Sequence, residues 1–184
     1  MAAVTLPPQG YLRQCLDYNP ETGTTVWRER PLSHFKNESY QKRFNHRFAG
    51  ETVGYRRSKA TAHIEMAITY GGVCQNYLLH RVIWKLVYGR DPVEIDHINV
   101  DGSDNRLANL RECTHSQNMS NTKLRANNKS GFKGVFLLPH GKWKASIDHQ
   151  NKTFNLGHFD TAEQAAAAYN KAASELHGDF AHLG

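Results

Sequence analysis

Asp96, His97, Asn109 and Asn118 fall within residues 95–122, IDHINVDGSDNRLANLRECTHSQNMSNT, and their types suit hydrolysis at a bound cation. An acid, a base and a neutral oxygen ligand can together hold one hard ion and activate a water. Carboxylate and amide oxygens favour Mg2+ or Mn2+ over zinc. Few protein ligands leave coordination positions for water and a phosphate oxygen. A histidine titrates near neutral pH, so a neutral His97 can take a proton from an attacking water. The plain rival is that Asp, Asn and Gly merely mark turns here and that His97 is incidental.

The spacing predicts which elements would position these groups. Residues 93–98 read as a short strand that delivers Asp96 and His97. Residues 99–105, rich in Asn, Asp, Gly and Ser, form a loop, and residues 110–114 a return strand. Thr114 or Ser116 then caps a helix running through Asn118 and Asn121. Arg106 and Arg111 either contact phosphate or pair with Asp101, Asp104 or Glu112, with pairing favoured. Upstream, Leu79, Val82, Ile83, Leu86 and Val87 make one apolar helical face over residues 79–88. Gly89 ends that helix and Pro92 prevents its continuation. His80, at its start, reads as a structural hydrogen-bonder.

Before this core, residues 1–10 are expected to fray and residues 12–16 to form a helical turn. Asn19-Pro20-Glu21-Thr22-Gly23 is a turn signal, followed by a strand at residues 24–27. Residues 28–50 are polar and basic, and read equally as a solvated loop or as a phosphate-contacting arm. Strands at residues 62–70 and 73–79 flank Gly71-Gly72, a two-residue hairpin turn. Sheet residues here could reach a DNA groove, with Arg56, Arg57 and Lys59 holding the backbone.

The pattern changes after the polar basic linker at residues 123–129. Residues 131–137, 142–149 and 153–156 read as three strands separated by turns at His140-Gly141 and Gln150-Asn151. Trp143, Ala145 and Ile147 share one face, and Lys144, Ser146 and Asp148 the other. Asp160-Thr161 caps a long helix, with Thr161 and Gln164 spaced for a capping box. Ala165, Tyr169, Ala172 and Leu176 form its apolar stripe, and Gly178 stops it.

The 184 residues have room for one ordinary domain or two small ones, and 39% hydrophobic residues support real cores. The net charge of +6 suggests a polyanionic partner. Residues 1–78 carry ten Lys and Arg against six Asp and Glu, residues 79–122 five against six, and residues 123–184 eight against five. Basic flanks around a slightly acidic centre are what a metal site between two phosphate-gripping regions would show. Cys15, Cys74 and Cys113 have no Cys-x-x-Cys spacing, so a structural zinc is not expected. An odd cysteine count without a signal peptide points to a reducing cytoplasm, and no apolar run approaches a bilayer span.

The segment over residues 79–122, HR…IDHINVDGSDNRLANLR…THSQNMSN, resembles the HNH endonucleases of the phage and intron homing type, with their ββα-metal core. The resemblance implies that Asp96 and Asn118 bind one divalent ion, Mg2+ or Mn2+. It also implies that His97 is the general base and that Asn109 pins the hairpin as part of the catalytic unit. The last motif position is Asn where many members carry His. Residues 130–183, with GFKGV, KWKASI and LGHFDTAEQAAAAY, resemble the Apetala-type (ERF-type) DNA-binding domain, whose free sheet face lies in the major groove. That resemblance puts Lys133, Phe136, Leu138, Ser146, Asp148, Thr153, Asn155 and His158 toward DNA. Lys133, Lys144 and Lys152 would mainly attract phosphate. Phe136, Leu138 and Asp148 stand where the plant domain carries Arg and Trp, so bidentate Arg-to-guanine readout is not expected.

The reading is therefore an α+β protein. Residues 1–78 form a β-rich DNA-contacting region, 79–122 the nuclease core, 123–129 a linker, and 130–184 a three-stranded antiparallel sheet on one helix. It would be a metal-dependent endonuclease of the homing type acting on double-stranded DNA, as monomer or homodimer, with no membrane. It would work in the cytoplasm, as a phage-encoded protein in a bacterial host. One rival is a DNA-binding regulator or architectural protein with a dead nuclease unit. A weaker one is an RNA nuclease, for which no aromatic stacking platform is visible.

Overall fold

The computed structural model describes residues 5–56, 63–124, 127–150 and 152–183 of the chain. The fold is α+β, and it divides into two compact units, residues 1–112 and 113–184.

In the first unit, helix α1 (Gln9–Cys15) runs into the antiparallel pair β1 (Leu16–Tyr18) and β2 (Thr25–Trp27). Leu6 and Leu12 are buried, so residues 5–10 are seated rather than frayed. The turn between β1 and β2 is built by Asn19, whose Oδ1 accepts from the backbone of Glu21 and Thr22 at 2.9 and 3.1 Å. Gly23 sits there at φ 74°, and a Cβ on it would lie 2.6 Å from Arg106 N. The turn therefore presses directly on the loop that follows His97.

Residues 28–50, read as loop or arm, contain helix α2 (Glu38–Phe48). Asn37 caps it, accepting from Tyr40 N at 3.1 Å. Phe44 packs edge-on against Trp27 and also meets Phe35 and Phe48. The buried Arg30 guanidinium lies over the rings of Tyr11, Trp27, Phe35 and Phe44, at 5.0–5.9 Å from their centroids. Arg43, His46 and Arg47 stay on the exposed side of α2.

Strands β3 (Glu65–Tyr70) and β4 (Val73–Leu78) form an antiparallel hairpin, with Gly71 and Gly72 both at positive φ as a type I′ turn requires. Helix α3 (Leu79–Tyr88) follows at once and buries Leu79, Val82, Ile83, Trp84 and Leu86. Each such side chain contributes about 1.5–3 kcal/mol by leaving water. Gly89, left-handed at φ 77°, closes it. Strand β5 (Glu94–His97) and strand β6 (Leu110–Cys113) pair beneath α3, and Ile95 and Leu110 join the core that α1, β3 and α3 share.

The second unit starts with helix α4 (His115–Ser120). Thr114 and Gln117 form a full capping box at its start. Strands β7 (Val135–Leu137), β8 (Trp143–His149) and β9 (Lys152–Phe159) make an antiparallel sheet in that order, and helix α5 (Ala162–His177) packs on one face. Ala165, Ala166, Tyr169 and Ala173 of α5 lie against Val135, Ala145 and Ile147. The first strand is shorter than residues 131–137. Gly131 and Gly134 take φ 78° and 68°, and Asn128 Oδ1 accepts from Gly131 N, so a turn occupies residues 130–134. The third strand is longer than residues 153–156, extending through Phe159.

Candidate active site

Strand β5 brings Asp96 and His97 into the interior, 3% and 4% exposed. Neighbours on a strand point to opposite faces, so the two side chains meet different surroundings. The Asp96 carboxylate is engaged from β6. Arg111 Nε and one terminal guanidinium nitrogen donate to the same oxygen, Oδ2, at 2.8 and 2.7 Å. Pairing was expected for Arg111, but with the loop acids or Glu112. Glu112 instead receives both terminal nitrogens of Arg90 at 2.6–2.7 Å, and Arg106 pairs with Asp104.

His97 Nε2 stands 3.2 Å from Asn105 Oδ1. An amide oxygen only accepts, so Nε2 carries the proton and Nδ1 is the basic nitrogen. Burial, above all, holds the His97 pKa below its ordinary value, and the Asn105 bond partly offsets this. The imidazole is thus neutral at physiological pH. Asn105 is itself buried, and Tyr18 OH donates to its carbonyl at 2.8 Å. Leu107 N donates to Pro20 O at 2.9 Å, so the Asn19–Gly23 turn braces the loop that holds Asn105. Sequence reading passed over Asn105. The only signal was one more Asn in a loop already full of them.

Asn109 is a hub of hydrogen bonds. Its Oδ1 accepts from Asn99 N at 3.0 Å, while Nδ2 donates to Asn99 Oδ1 and to Asp104 O at 3.0 and 2.8 Å. Its carbonyl accepts from Ile98 N. These bonds close residues 98–109 into a fixed loop. Asp104 strengthens it through Arg106 and Asn99, and the Arg106 bond holds the Asp104 carboxyl down at about 2.

Asn118 lies in α4, half-buried, in the second unit. Arg56 is exposed just after Tyr55, which bridges to Glu65, whereas Arg57 and Lys59 lie outside the described residues.

On the sheet of the second unit, strand register sorts the remaining candidates. Phe136 pairs with Lys144 and Lys144 with His158. Ser146 pairs with Asn155 and Asp148 with Thr153. Cross-strand partners share a face, so all of these lie opposite α5. Leu156 is the extra residue of a bulge, which restores the alternation ahead of His158. Thr153, Asn155 and His158 are exposed and Lys144 and Ser146 half-exposed. Lys133 is a correction. It sits in the turn before β7, and its ammonium donates to the carbonyls of Ser120 and Thr122 at 2.6 and 3.0 Å. It ties down the end of α4 and does not belong to the sheet face.

His80 also departs from its reading as a hydrogen-bonder, because its buried Nδ1 has no partner. It lies beside His97 and His63, with ring centroids 5.0 and 5.2 Å away. Burial first, then the neighbouring imidazoles and Arg81, push its pKa well down.

The family model described as HNH endonuclease matches residues 77–120. A phage T7 protein, Protein 3.8, is 31% identical over 107 residues, 56% of this chain and 88% of that protein. The chain belongs to the HNH endonuclease family. A second relative, the "Uncharacterized HNH endonuclease L560" of Acanthamoeba polyphaga mimivirus, is 38% identical over 106 residues, covering 56% of this chain. The chain spans about half, 54%, of that relative's length. The "Dehydration-responsive element-binding protein 2D" of Arabidopsis thaliana is 46% identical over 54 residues, 28% of this chain and 26% of that protein. Among the described residues, no helix is long and apolar enough to cross a membrane.

Proposed function

We propose that this HNH protein is a metal-dependent endonuclease that hydrolyses phosphodiester bonds in double-stranded DNA. The observation that carries it is the buried, neutral His97, with its proton fixed on Nε2 by Asn105. In this reading Nδ1 takes a proton from a water as its oxygen attacks phosphorus. The bond to the 3′-oxygen breaks, leaving a 3′-hydroxyl and a 5′-phosphate. Asp96 and Asn118 are the residues that would hold a divalent cation. A carboxylate and an amide suit Mg2+, which usually takes one or two carboxylates together with waters and substrate phosphate. The bound ion would supply charge stabilisation for the phosphate and the leaving oxygen. Arg111 orients the Asp96 carboxylate, and Asn109 holds the loop that carries Asn105.

The sheet face with Lys144, Ser146, Thr153, Asn155 and His158 is the proposed DNA contact of the second unit, as in the Apetala-type domains it resembles. Its shared face and exposure support this. Arg56, Arg57 and Lys59 would add backbone contacts. The domain division at residues 78, 122 and 129 and the homing habit rest on the sequence pattern. The phage source of one relative, Protein 3.8, favours a phage-borne protein in a host cell. With one nuclease motif, a monomer nicks one strand and a homodimer cuts both.

Supercoiled plasmid assayed with Mg2+, Mn2+ or EDTA tests this. Wild type should give open circles only with metal. His97→Ala should slow nicking by about 10²–10⁴-fold while keeping its DNA affinity. Tight, salt-sensitive binding by wild type without any cleavage would instead identify a DNA-binding regulator.

A further inference from the structure

His63, His80 and His97 come from three separated parts of the first unit: the approach to β3, the first turn of α3 and the end of β5. One nitrogen from each lies within 4.8 Å of the others. The ring centroids stand 5.0, 5.2 and 5.5 Å apart. Three imidazoles around one tetrahedral zinc, with Zn–N bonds of about 2.0–2.1 Å, place their ring centroids about 5 Å apart. The rings have nearly the centroid spacing that a shared ion requires, and the nitrogens, now within 4.8 Å of one another, would draw in to about 3.3 Å on binding. His80 supplies an independent sign. It is 3% exposed and its Nδ1 has no hydrogen-bond partner, a costly state for a buried polar atom. Three imidazole nitrogen donors favour a borderline ion such as Zn2+, whereas the oxygen set of Asp96 and Asn118 suits Mg2+. His63 is exposed, which gives an ion a route in.

We propose that His63, His80 and His97 form a second metal site, selective for Zn2+ or a similar ion, whose occupancy silences the nuclease by capturing its general base. The silencing rests on the role given to His97 above, but the ion site does not. In the resting enzyme His97 is a base. With the ion bound, its coordinating lone pair is committed and can no longer accept a proton from water.

The full chain, stripped with chelator, is titrated with Co2+, whose tetrahedral nitrogen-ligated complexes absorb in the visible. Wild type should develop such a band with one equivalent, and Zn2+ should abolish it. His63→Ala alters an exposed side chain and should keep the wild-type circular dichroism while losing the band. No band in wild type, or an undiminished band in His63→Ala, overturns the site. In a second arm, plasmid nicking in Mg2+ is compared with and without Zn2+ for each protein. The ratio should fall by about a hundredfold or more in wild type, and stay near unity in His63→Ala. Ion binding without any fall in wild type overturns the silencing. If wild type never nicks, the nuclease reading and the silencing fall together, and the Co2+ band alone decides the ion site.

Discussion

At the scale of single residues, the Asp96–Arg111 pair carries the strongest stability consequence. Asp96 is nearly sealed from solvent, and Arg111 places two donors on one of its oxygens. Removing one member of a buried ion pair costs about 3–5 kcal/mol, because the other charge is left buried without compensation. Arg111→Ala should therefore lower stability to urea by about that much. Replacing both, as Asp96→Asn with Arg111→Met, should recover most of the loss, since a buried pair contributes little net stability against apolar or neutral substitutes. The double variant should still fail to nick DNA. Denaturation midpoints for the three proteins, read beside plasmid nicking, separate the fold's need for this pair from the chemistry's need for Asp96. The sequence showed Asp96 and His97 as a pair and Asn109 as a pin, because all three lie within one short hairpin. It hid Asn105 and the His63–His80–His97 cluster. In the cluster, partners far apart in the chain meet only through tertiary packing, and periodicity carries no trace of that.

At the scale of elements, the loop of residues 98–109 is held mainly by its own polar groups. Asp104 receives Arg106 and Asn99, and its carboxyl titrates near 2 where the ordinary value is 3.8. A carboxyl depressed by folding adds stability that is complete above about pH 4 and disappears as the pH falls toward 2. Wild type and Asp104→Asn should thus differ in stability at pH 5 and converge by pH 2, with a modest gap because the pair is largely solvent-screened. Chemical denaturation across that range reads the difference. Helix α3 and the Gly71-Gly72 hairpin were legible because local pattern dictates them: an apolar stripe at helical spacing, two glycines between alternating strands. Helix α2 was not. Its only large apolar side chains facing inward are Phe44 and Phe48, and what fixes it is distant in sequence: Trp27, Phe35 and the guanidinium of Arg30. In the second unit, the glycines of GFKG looked compatible with strand, yet positive φ at Gly131 and Gly134 turns the chain there.

At the scale of the whole molecule, the hydrophobic clusters among the described residues fall into two groups. One joins α1, β3, α3, β5 and β6; the other lies between α5 and the sheet of β7, β8 and β9. Gly134 belongs to the second. A Cβ there would come within 2.2 Å of the Tyr169 ring while φ stays at 68°. Strain and overpacking together should cost about 2–4 kcal/mol. In calorimetry of the full chain, Gly134→Ala should lower the melting of the second core and leave the first near its wild-type temperature. A single transition shifting as one would show that the two cores melt together.

The aromatic seat of α2 has a thermodynamic consequence for any polyanion that reaches Arg43, His46 and Arg47. A disordered basic arm must be ordered when it binds, and that ordering subtracts several kcal/mol from the gross attraction. Here the ordering is completed during folding, by a caged guanidinium and a capped helix. Contacts made through α2 would accordingly lose little conformational entropy on binding. Their strength would follow the release of counterions, and so the salt concentration, far more than any coupled folding.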